Sequence, residues 1–539
     1  QRTTLIGLCF ESTRILGKNT SSPPKIKLRN NLFNILFMDN YIYVPVTVSA
    51  VVAFLCVNWL YFKILKIAFD KNIVDNPDAR KLQKTPVPVM GGLAVYFGIL
   101  AGILLGAMFH AIVQNSSTTR LFSVFCATSI MLYVGTVDDI IGLTPTSRLV
   151  IEIFTMVGLI FSSGVCIDTF RGMWGVYEIN WWIAVPLTVI TGVGIINAVN
   201  MIDGVNGLSS GLCIVCFTFF GIVFLKSNDT PNAVLAFATV GSLTPFFIHN
   251  VFGDKSRMFI GDAGTMVMGI LLTWFVMCSL SKNHVSSIFH TASNVNAIAL
   301  SLAILSVPIF DTLRVMGMRM ANKKSPFNPD KTHLHHIFIN VGVSHFITAM
   351  SEILIGIVIV GIWFLSVVLG LGYEMQLYIV IVSAMFLVWG TYILLKYHAE
   401  RHTDFLHLFT EFSVRTHLGR KEWWKKLSAK LDAPGDYSAI NLFEESNYES
   451  IDARFQNMDP ENFKEIDRKK ILDYMKGRAE VMVQDIMDNS GAEKLRVFTI
   501  LFEEKINGTV VVLRENEWGA PRIVALAQDL NTLKIKQLK

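Results

Sequence analysis

Long apolar segments follow one another from about residue 41 to residue 395, and short polar segments separate them. Each apolar segment is close to the ~20 residues that an α-helix needs to cross the hydrocarbon core of a bilayer. Since backbone polar groups inside lipid must be hydrogen-bonded within the protein, segments of this length predict transmembrane helices. We expect about eleven spans, at roughly 41–67, 89–112, 121–137, 148–165, 181–199, 207–225, 232–250, 263–280, 296–313, 346–369 and 375–395.

The composition supports this interpretation, because 52% of the residues are hydrophobic and only 17% are charged. Soluble chains usually carry about 25% charged residues, so a soluble two-domain enzyme is excluded as the main interpretation. The predicted fold is an all-α polytopic membrane protein with about eleven transmembrane helices in a domain that covers residues 41–395. The charged residues 396–539 predict a soluble C-terminal tail of mixed α+β structure.

The two ends of the chain carry separate signals. Residues 1–40 form an N-terminal extension without the pattern of a cleavable signal peptide. Because Met38 directly precedes the first apolar segment, we expect translation to start there. In the tail, β-forming residues alternate over 496–513 around Asn507-Gly508, which is typical of a β-hairpin.

The placement of basic residues predicts the orientation in the membrane. Fourteen Lys and Arg residues lie in the segments after odd-numbered spans or at the span ends that border these segments, and four lie in the segments after even-numbered spans. Short cytoplasmic loops carry an excess of Lys and Arg, so the odd-numbered loops and the C-terminal tail are predicted to be cytoplasmic. Nearly all the unusual polar residues of the membrane domain lie on this same face, which is where we expect a functional site.

Three carboxylates stand at the ends of predicted spans. Asp138 and Asp139 close the third span, and Asp262 opens the eighth span within Gly-Asp-Ala-Gly-Thr. Two adjacent carboxylates repel each other, and a divalent cation or a basic partner stabilises them. A solvated loop for the first two, and an ordinary helix N-cap for Asp262, are the alternative interpretations.

Amide side chains cluster in the segment Asn-Ala-Val-Asn-Met-Ile-Asp-Gly-Val-Asn-Gly that follows the fifth span. The candidate binding residues there are Asn197, Asn200, Asp203 and Asn206, joined by Asn250 after the seventh span. Amides offer donors and acceptors that suit a uracil edge or sugar hydroxyls. Helix capping around a short turn is the alternative explanation.

Cationic side chains occupy two other loops of the same face. Arg80 and Lys81 follow the first span, and Arg319 with the histidines of His-Leu-His-His follows the ninth. These histidines are His333, His335 and His336. Zinc binding is an alternative, but no cysteine or fourth ligand accompanies the histidines. Binding of phosphate by Arg, Lys and His fits such a basic loop better.

These motifs, in this order, resemble those of the bacterial polyprenyl-phosphate N-acetylhexosamine-1-phosphate transferases, over roughly residues 45–340. The aspartate pair of that family matches Asp138 and Asp139, its Gly-Asp-x-Gly-Ser/Thr motif matches Asp262, and its histidine loop matches His333, His335 and His336. The amide motif matches at Asn197, Asn200 and Asp203, and the Arg-Lys element at Arg80 and Lys81. Three positions depart from the usual pattern: Asn206 stands in place of Asp, Gln83 in place of His, and Arg148 in place of Lys.

The resemblance implies an enzyme of the bacterial inner membrane that uses undecaprenyl phosphate and a UDP-N-acetylhexosamine, most simply UDP-N-acetylglucosamine. It implies release of UMP and the start of a cell-envelope polysaccharide on the cytoplasmic side. It further implies Mg²⁺, or Mn²⁺, bound by Asp262 with Asp138 and Asp139. Nucleic acid is not an expected partner, and a homodimer is an open expectation. The alternatives are the same chemistry on another UDP-N-acetylhexosamine, or a secondary transporter.

Overall fold

The computed structural model describes most of the membrane domain and parts of the tail. The described residues are 43–71, 73–75, 87–108, 115–253, 256–282, 295–325, 332–341, 343–401, 426–427, 430–431, 482–487, 494–500, 509–515 and 521–527. The predicted extension 1–40 with Met38 lies outside them, and so do Arg80, Lys81 and the Asn507-Gly508 turn.

The prediction of about eleven spans is confirmed. The described residues contain ten helices long and apolar enough to cross a membrane, and the number is eleven when the bent pair Ala297–Ile304 and Ser306–Ala321 is counted as one span. The first eight spans are α1 Tyr43–Asp70, α2 Gly91–Met108, α3 Asn115–Ile141, α4 Pro145–Ser163, α5 Trp181–Met201, α6 Leu208–Lys226, α7 Thr230–Phe252 and α8 Gly261–Ser279. The remaining helices are α9 Ala297–Ile304, α10 Ser306–Ala321, the short α11 Leu334–Asn340, α12 His345–Val368, α13 Tyr373–Ala384 and α14 Gly390–Arg401.

The ninth predicted span, at 296–313, is formed by two helices that are bent relative to each other. Helices α9 and α10 meet at Leu305 with an angle of 76°. Pro308 has no backbone N–H to donate to Ile304, so a continuous helix would lose a hydrogen bond at this position. In the first turn of a new helix that donor is not needed, and the chain therefore restarts as α10.

The last span passes through a π-helical turn and extends beyond its predicted end. Residues Met385–Trp389 form this turn between α13 and α14, and α14 continues to Arg401 rather than stopping near residue 395. The indole N–H of Trp389 donates a hydrogen bond of 2.9 Å to the carbonyl oxygen of Phe310. The turn therefore joins the last span to α10.

Helix α8 is the central element of the membrane domain. It packs against α2, α3, α5 and α6. Every residue of α8 is buried except Asp262. A helix that is apolar on all sides belongs in the interior of a helical bundle, and the one residue that reaches the surface is therefore the acidic residue of its first turn.

Glycines allow the neighbouring helices to approach the first turn of α8 closely. A Cβ atom added at Gly92 of α2 would lie 2.2 Å from the backbone nitrogen of Gly264. A Cβ atom added at Gly135 of α3 would lie 2.4 Å from the Cα atom of Ala263. Close backbone packing through small residues is the usual way in which membrane helices associate, because lipid offers little hydrophobic driving force.

A small strand pair fixes the segment that precedes α8. Strands β1 Val74–Asp75 and β2 Val87–Pro88 pair in antiparallel orientation. The N–H of Phe259 then donates to the carbonyl of Pro88, and Phe259 in turn accepts from the N–H of Gly91. The polar segment after the first span is thereby attached directly to the entry of α8.

The described part of the tail contains a four-stranded antiparallel sheet of order β3-β4-β5-β6. Its strands are β3 Met482–Met487, β4 Lys494–Ile500, β5 Thr509–Glu515 and β6 Pro521–Ala527. Strands β4 and β5 pair as the predicted hairpin requires, with Val497 opposite Val512.

We predict that Gly92→Ala destabilises the protein, whereas Gly158→Ala does not. The new methyl group at residue 92 meets backbone atoms that cannot move aside, and overpacking of this kind costs about 1–3 kcal/mol. A Cβ at Gly158 in α4 meets nothing within 4 Å, and Ala there raises helix propensity. Thermal unfolding of the purified variants in detergent checks this, and equal melting temperatures for the two variants would contradict it.

Candidate active site

The candidate site lies at one end of the bundle, where the end of α3 meets the beginnings of α4 and α8. Asp138 accepts hydrogen bonds from the N–H of Leu143, at 2.7 Å, and from Nη1 of Arg148, at 3.3 Å. Its side chain is 10% exposed. The carboxylate is thus held in place by one backbone donor and one cation.

Asp139 caps the N-terminus of α8 from a different helix. Its Oδ1 accepts from the N–H of Asp262, at 2.8 Å, and its Oδ2 accepts from the N–H of Ala263, at 3.1 Å. The first N–H groups of a helix have no partner within the helix, and an anion there also interacts favourably with the helix dipole. Both oxygens of Asp139 are therefore committed to holding α8.

Asp262 projects from this capped turn toward the same place as Asp138. Its Oδ1 accepts a hydrogen bond from the side-chain amide of Asn200, whose Nδ2 also reaches Thr265 Oγ1 at 2.8 Å. Its Oδ2 lies 3.7 Å from Nη1 of Arg148, and the carboxyls of Asp262 and Asp138 are within hydrogen-bonding reach of each other. Since its side chain is 35% exposed, Asp262 is the member of the acidic pair most accessible to a ligand.

Arg148 is the cation of this cluster, and a buried glutamate holds it from the other side. Its Nε donates to Glu152 Oε1 at 3.1 Å, one helical turn along α4. The second oxygen of Glu152 accepts from the amide of Asn197 on α5. Arg148 therefore contacts Asp138, Asp262 and Glu152, while Glu152 links α4 to α5.

Whether this cluster can bind a divalent cation depends on the ligand atoms that it offers. Within the described part of the chain, no three His, Cys, Asp or Glu side chains come together as a ligand set, and Asp139 already bonds α8. Mg²⁺ is commonly bound by one or two carboxylates together with water and substrate phosphates. Asp138 and Asp262 fit that kind of site, and Asp139 supports it by fixing Asp262.

The amide segment forms the turn between α5 and α6. Ser209 donates its hydroxyl hydrogen to Asp203 Oδ1. Burial raises the pKa of Asp203 to about 7, although the Ser209 hydrogen bond opposes the shift. Near neutral pH this carboxyl is therefore about half protonated and offers both a donor and an acceptor.

Two further contacts fix the turn. The N–H of Gly207 donates to Asn250 Oδ1 at 2.7 Å, and Asn250 Nδ2 donates to the carbonyl of Met258 at 2.9 Å. The N–H of Asn206 donates to His345 Nδ1 at 3.4 Å. Asn250 is buried, so the structure places it as a brace between two loops.

His333 is held by the bent span. Its Nδ1 lies 2.8 Å from Asp311 Oδ2 in α10, and Asp311 Oδ1 accepts from Nη2 of Arg314 at 2.7 Å. The same Nη2 donates to the carbonyl of Thr332 at 2.6 Å, and the Arg314 guanidinium lies 3.6 Å from the ring centre of Tyr392 in α14. An ion pair and a cation–π contact thus fix the start of the histidine loop.

His335 lies against the turn between α5 and α6, because a Cβ at Gly204 would be 2.6 Å from its Nε2. Burial, reinforced by the neighbouring His336 and His333, lowers the pKa of His335 well below its ordinary value. The ring is therefore neutral at pH 7 and acts as a hydrogen-bonding group. The ring of His336 lies beside it, tilted by 44° with 4.3 Å between the ring centroids, and Arg319 is buried in the last turn of α10.

The structure also places three ionisable residues that the sequence reasoning missed. Glu152 and His345 contact Arg148 and Asn206, respectively, and Glu352 is fully buried in α12. Glu152 and Glu352 are the only acidic residues of their spans. An ionisable residue inside a membrane span is itself an indication of function, and this criterion would have identified both glutamates.

We predict that Asp139→Ala lowers the free energy of unfolding by about 1–2 kcal/mol, because two helix N–H groups lose their acceptors. Asp139→Asn should cost less, since its one side-chain oxygen still accepts. Thermal unfolding in detergent gives the ranking, and an Ala variant as stable as the wild type would show that α8 needs no cap.

Comparison with known proteins bears on the same region. A family model described as glycosyl transferase family 4 matches residues 121–280, which run from the start of α3 to the end of α8. The match thus spans the acidic cluster, Arg148 and the amide turn.

Curated relatives extend the similarity over more of the membrane domain. A probable undecaprenyl-phosphate N-acetylglucosaminyl 1-phosphate transferase of Bacillus subtilis (strain 168) is 29% identical over 317 residues, 58% of this chain and 83% of the relative. The undecaprenyl-phosphate alpha-N-acetylglucosaminyl 1-phosphate transferase of Yersinia pestis is 25% identical over 280 residues, 51% of this chain and 72% of the relative. The decaprenyl-phosphate N-acetylglucosaminephosphotransferase of Mycolicibacterium smegmatis is 28% identical over 313 residues, 55% of this chain and 75% of the relative.

The family match and these relatives confirm the resemblance drawn from the motifs: residues 121–280 of this multi-pass membrane protein are similar to glycosyl transferase family 4.

Proposed function

We propose that the protein transfers N-acetylhexosamine-1-phosphate, with N-acetylglucosamine as the favoured sugar, from a UDP-sugar to a polyprenyl phosphate and releases UMP. The observation that carries this proposal is the contact cluster of Asp138, Asp262, Arg148 and Asn200 at one end of the spans. The names of the relatives, which specify a polyprenyl phosphate and N-acetylglucosamine, support it. The product would start a cell-envelope polysaccharide.

The position of the cluster suits two substrates that arrive from different phases. A polyprenyl phosphate keeps its chain in the bilayer and its phosphate at the surface, whereas a nucleotide sugar arrives from water. Side chains at the ends of α3, α4 and α8 lie where both can meet. The excess of Lys and Arg in the odd-numbered loops supports a cytoplasmic site in the inner membrane.

In the proposed reaction, an oxygen of the lipid phosphate attacks the phosphorus atom that bears the sugar. The bond from that phosphorus to the oxygen bridging to UMP breaks, and UMP leaves with the bonding electrons. A phosphate monoester has a second pKa of about 6, so near pH 7 the nucleophile is already largely dianionic. The protein therefore has to orient the nucleophile and stabilise charge, and it needs no strong base.

The charged and polar residues of the cluster have different roles in this reaction. Arg148 stabilises the phosphate oxygens, and Asn200 holds Asp262 in place. When bound by Asp138 and Asp262, Mg²⁺ or Mn²⁺ would neutralise pyrophosphate charge. Asp138 also orients the attacking lipid phosphate.

Donor recognition is assigned to the turn between α5 and α6. Asp203, half-protonated near pH 7, and neutral His335 both offer a donor and an acceptor, which suits a uracil edge or sugar hydroxyls. The side chain of Asn206 belongs to the same turn. Arg319, Arg80 and Lys81 are the proposed cations for the substrate phosphates, and His336 is proposed to contact the same phosphates.

We predict that Asp262→Asn lowers the rate of transfer at least about 100-fold, because the metal-binding carboxylate loses its charge. A detergent-purified protein supplied with UDP-N-acetylglucosamine and a short polyprenyl phosphate provides the assay, with UMP release as the readout. Glu178→Gln is the matched control, since Glu178 is exposed and pairs only with Lys282 among the described ion pairs. An Asp262→Asn variant with full activity would remove the carboxylate from the mechanism.

The same assay tests the proposed function and its metal. Transfer should stop with EDTA and return with Mg²⁺ or Mn²⁺, and turnover that persists without metal would overturn this part of the mechanism. A panel of UDP-sugars identifies the donor. If the folded protein transfers sugar phosphate from none of them, the proposed function is wrong.

A further inference from the structure

Glu152 is a buried acid that the proposed reaction does not use directly. Its side chain is 0% exposed, and it lies about two turns into α4, inside a membrane span. Both of its oxygens accept hydrogen bonds, one from Arg148 Nε and the other from the amide of Asn197. Burying an unpaired carboxylate is energetically unfavourable, and the two hydrogen bonds to Glu152 offset part of that desolvation cost.

The contacts of Glu152 determine which atoms of Arg148 face the acidic cluster. A guanidinium is planar and rigid, so a bond to Nε fixes the plane in which both Nη atoms lie. Nη1 then reaches Asp138 and Asp262, at 3.3 and 3.7 Å. Nη2 is buried and has no hydrogen-bond partner among the residues that the structure describes.

Without Glu152, the guanidinium would turn toward the two aspartates. Bidentate pairing of Arg with a carboxylate uses two donors and is the stronger arrangement. Arg148 would then satisfy Nη2 on Asp138 or Asp262 and cover the carboxylate oxygens that face the ligand. The bond from Nε to Glu152 opposes this rotation and keeps Nη2 uncommitted.

Glu152 also fixes the helix that carries the other amide of the cluster. Asn197 and Asn200 are three residues apart on α5, so they lie on one face of that helix. Asn197 bonds Glu152, and Asn200 bonds Asp262. The buried carboxylate of Glu152 therefore holds Arg148 and, through Asn197, the helix that carries Asn200. Arg148 and Asn200 are the two residues that contact the acidic pair.

We propose that Glu152 is a positioning residue, which holds the Arg148 guanidinium against the acidic pair in the orientation that stabilises an oxygen of the transferred phosphate. This inference rests on the proposed function. A purely structural ion pair is the competing explanation, and it predicts a change in stability without a specific change in the chemical step.

Four variants separate the two explanations: Glu152→Gln, Arg148→Lys, the double variant, and Glu178→Gln as the matched control on the other face. The glutamine at residue 152 keeps the shape and one acceptor for Nε, so the fold is retained. We expect its kcat to fall about 10- to 100-fold, the usual cost of removing a group that orients a ligand-binding residue. KM should stay within about threefold of the wild-type value, since the contact acts mainly on the transition state.

The double variant tests directly whether Glu152 acts through Arg148. Lysine has no Nε, so in the Arg148→Lys variant the residue at 152 no longer orients a guanidinium. Adding Glu152→Gln to the Arg148→Lys variant should therefore cost about twofold or less, the scatter shown by independent sites. If the two residues acted separately, the two losses would multiply.

The outcomes distinguish this inference from the function on which it rests. A wild-type protein that transfers no sugar phosphate removes the proposed function. An active wild type whose Glu152→Gln variant retains full kcat removes the positioning role alone. The positioning role is also wrong if the kcat losses of Glu152→Gln and Arg148→Lys multiply in the double variant. It is equally wrong if the activity of Glu152→Gln falls only in proportion to a loss of folded protein.

Discussion

The packing of backbone against backbone at the first turn of α8 is the constraint on which the rest of the structure depends. Gly92 and Gly135 let α2 and α3 approach that turn so closely that a single methyl group would meet backbone atoms. Asp139 then bonds the two N–H groups that such packing would otherwise leave buried and unpaired. The position of Asp262 follows from this arrangement, because the helix that carries it cannot shift along its axis.

Charge balance is the second organising feature. Asp138 and Asp262 lie within reach of each other, and Glu152 lies one turn deeper, yet a single guanidinium contacts all three. Within low-dielectric surroundings such a group of carboxylates is unfavourable without cations. The proposed divalent metal and Arg148 would together balance the charge of these carboxylates. The negative substrate phosphates would face the same two cations.

Much of this could be predicted from the sequence, because it depends on local pattern. Apolar runs of membrane-spanning length predicted the ten long helices and the bent pair, and the polar residues at their ends predicted the acidic pair and the amide turn. The bend at Leu305 was missed, since Pro308 lies within an otherwise unbroken apolar run. Asp139 matches a motif equally well whether it binds a metal or caps a helix, and the sequence does not show that both of its oxygens accept N–H groups of α8. Glu152 could have been singled out as the only acidic residue of its span, but its contact with Asn197, 45 residues away, leaves no periodic signal in the sequence.

The contact between Arg314 and Tyr392 has a consequence for biogenesis. Tyr392 lies in the eleventh span, whereas the Asp311–His333 pair that Arg314 stabilises belongs to the histidine loop between the ninth and tenth spans. During synthesis, the ribosome therefore completes the first ten spans before the ring that covers Arg314 exists. Until the last helix inserts, Arg314 lacks this cation–π contact, which is one of the contacts that hold the start of the histidine loop.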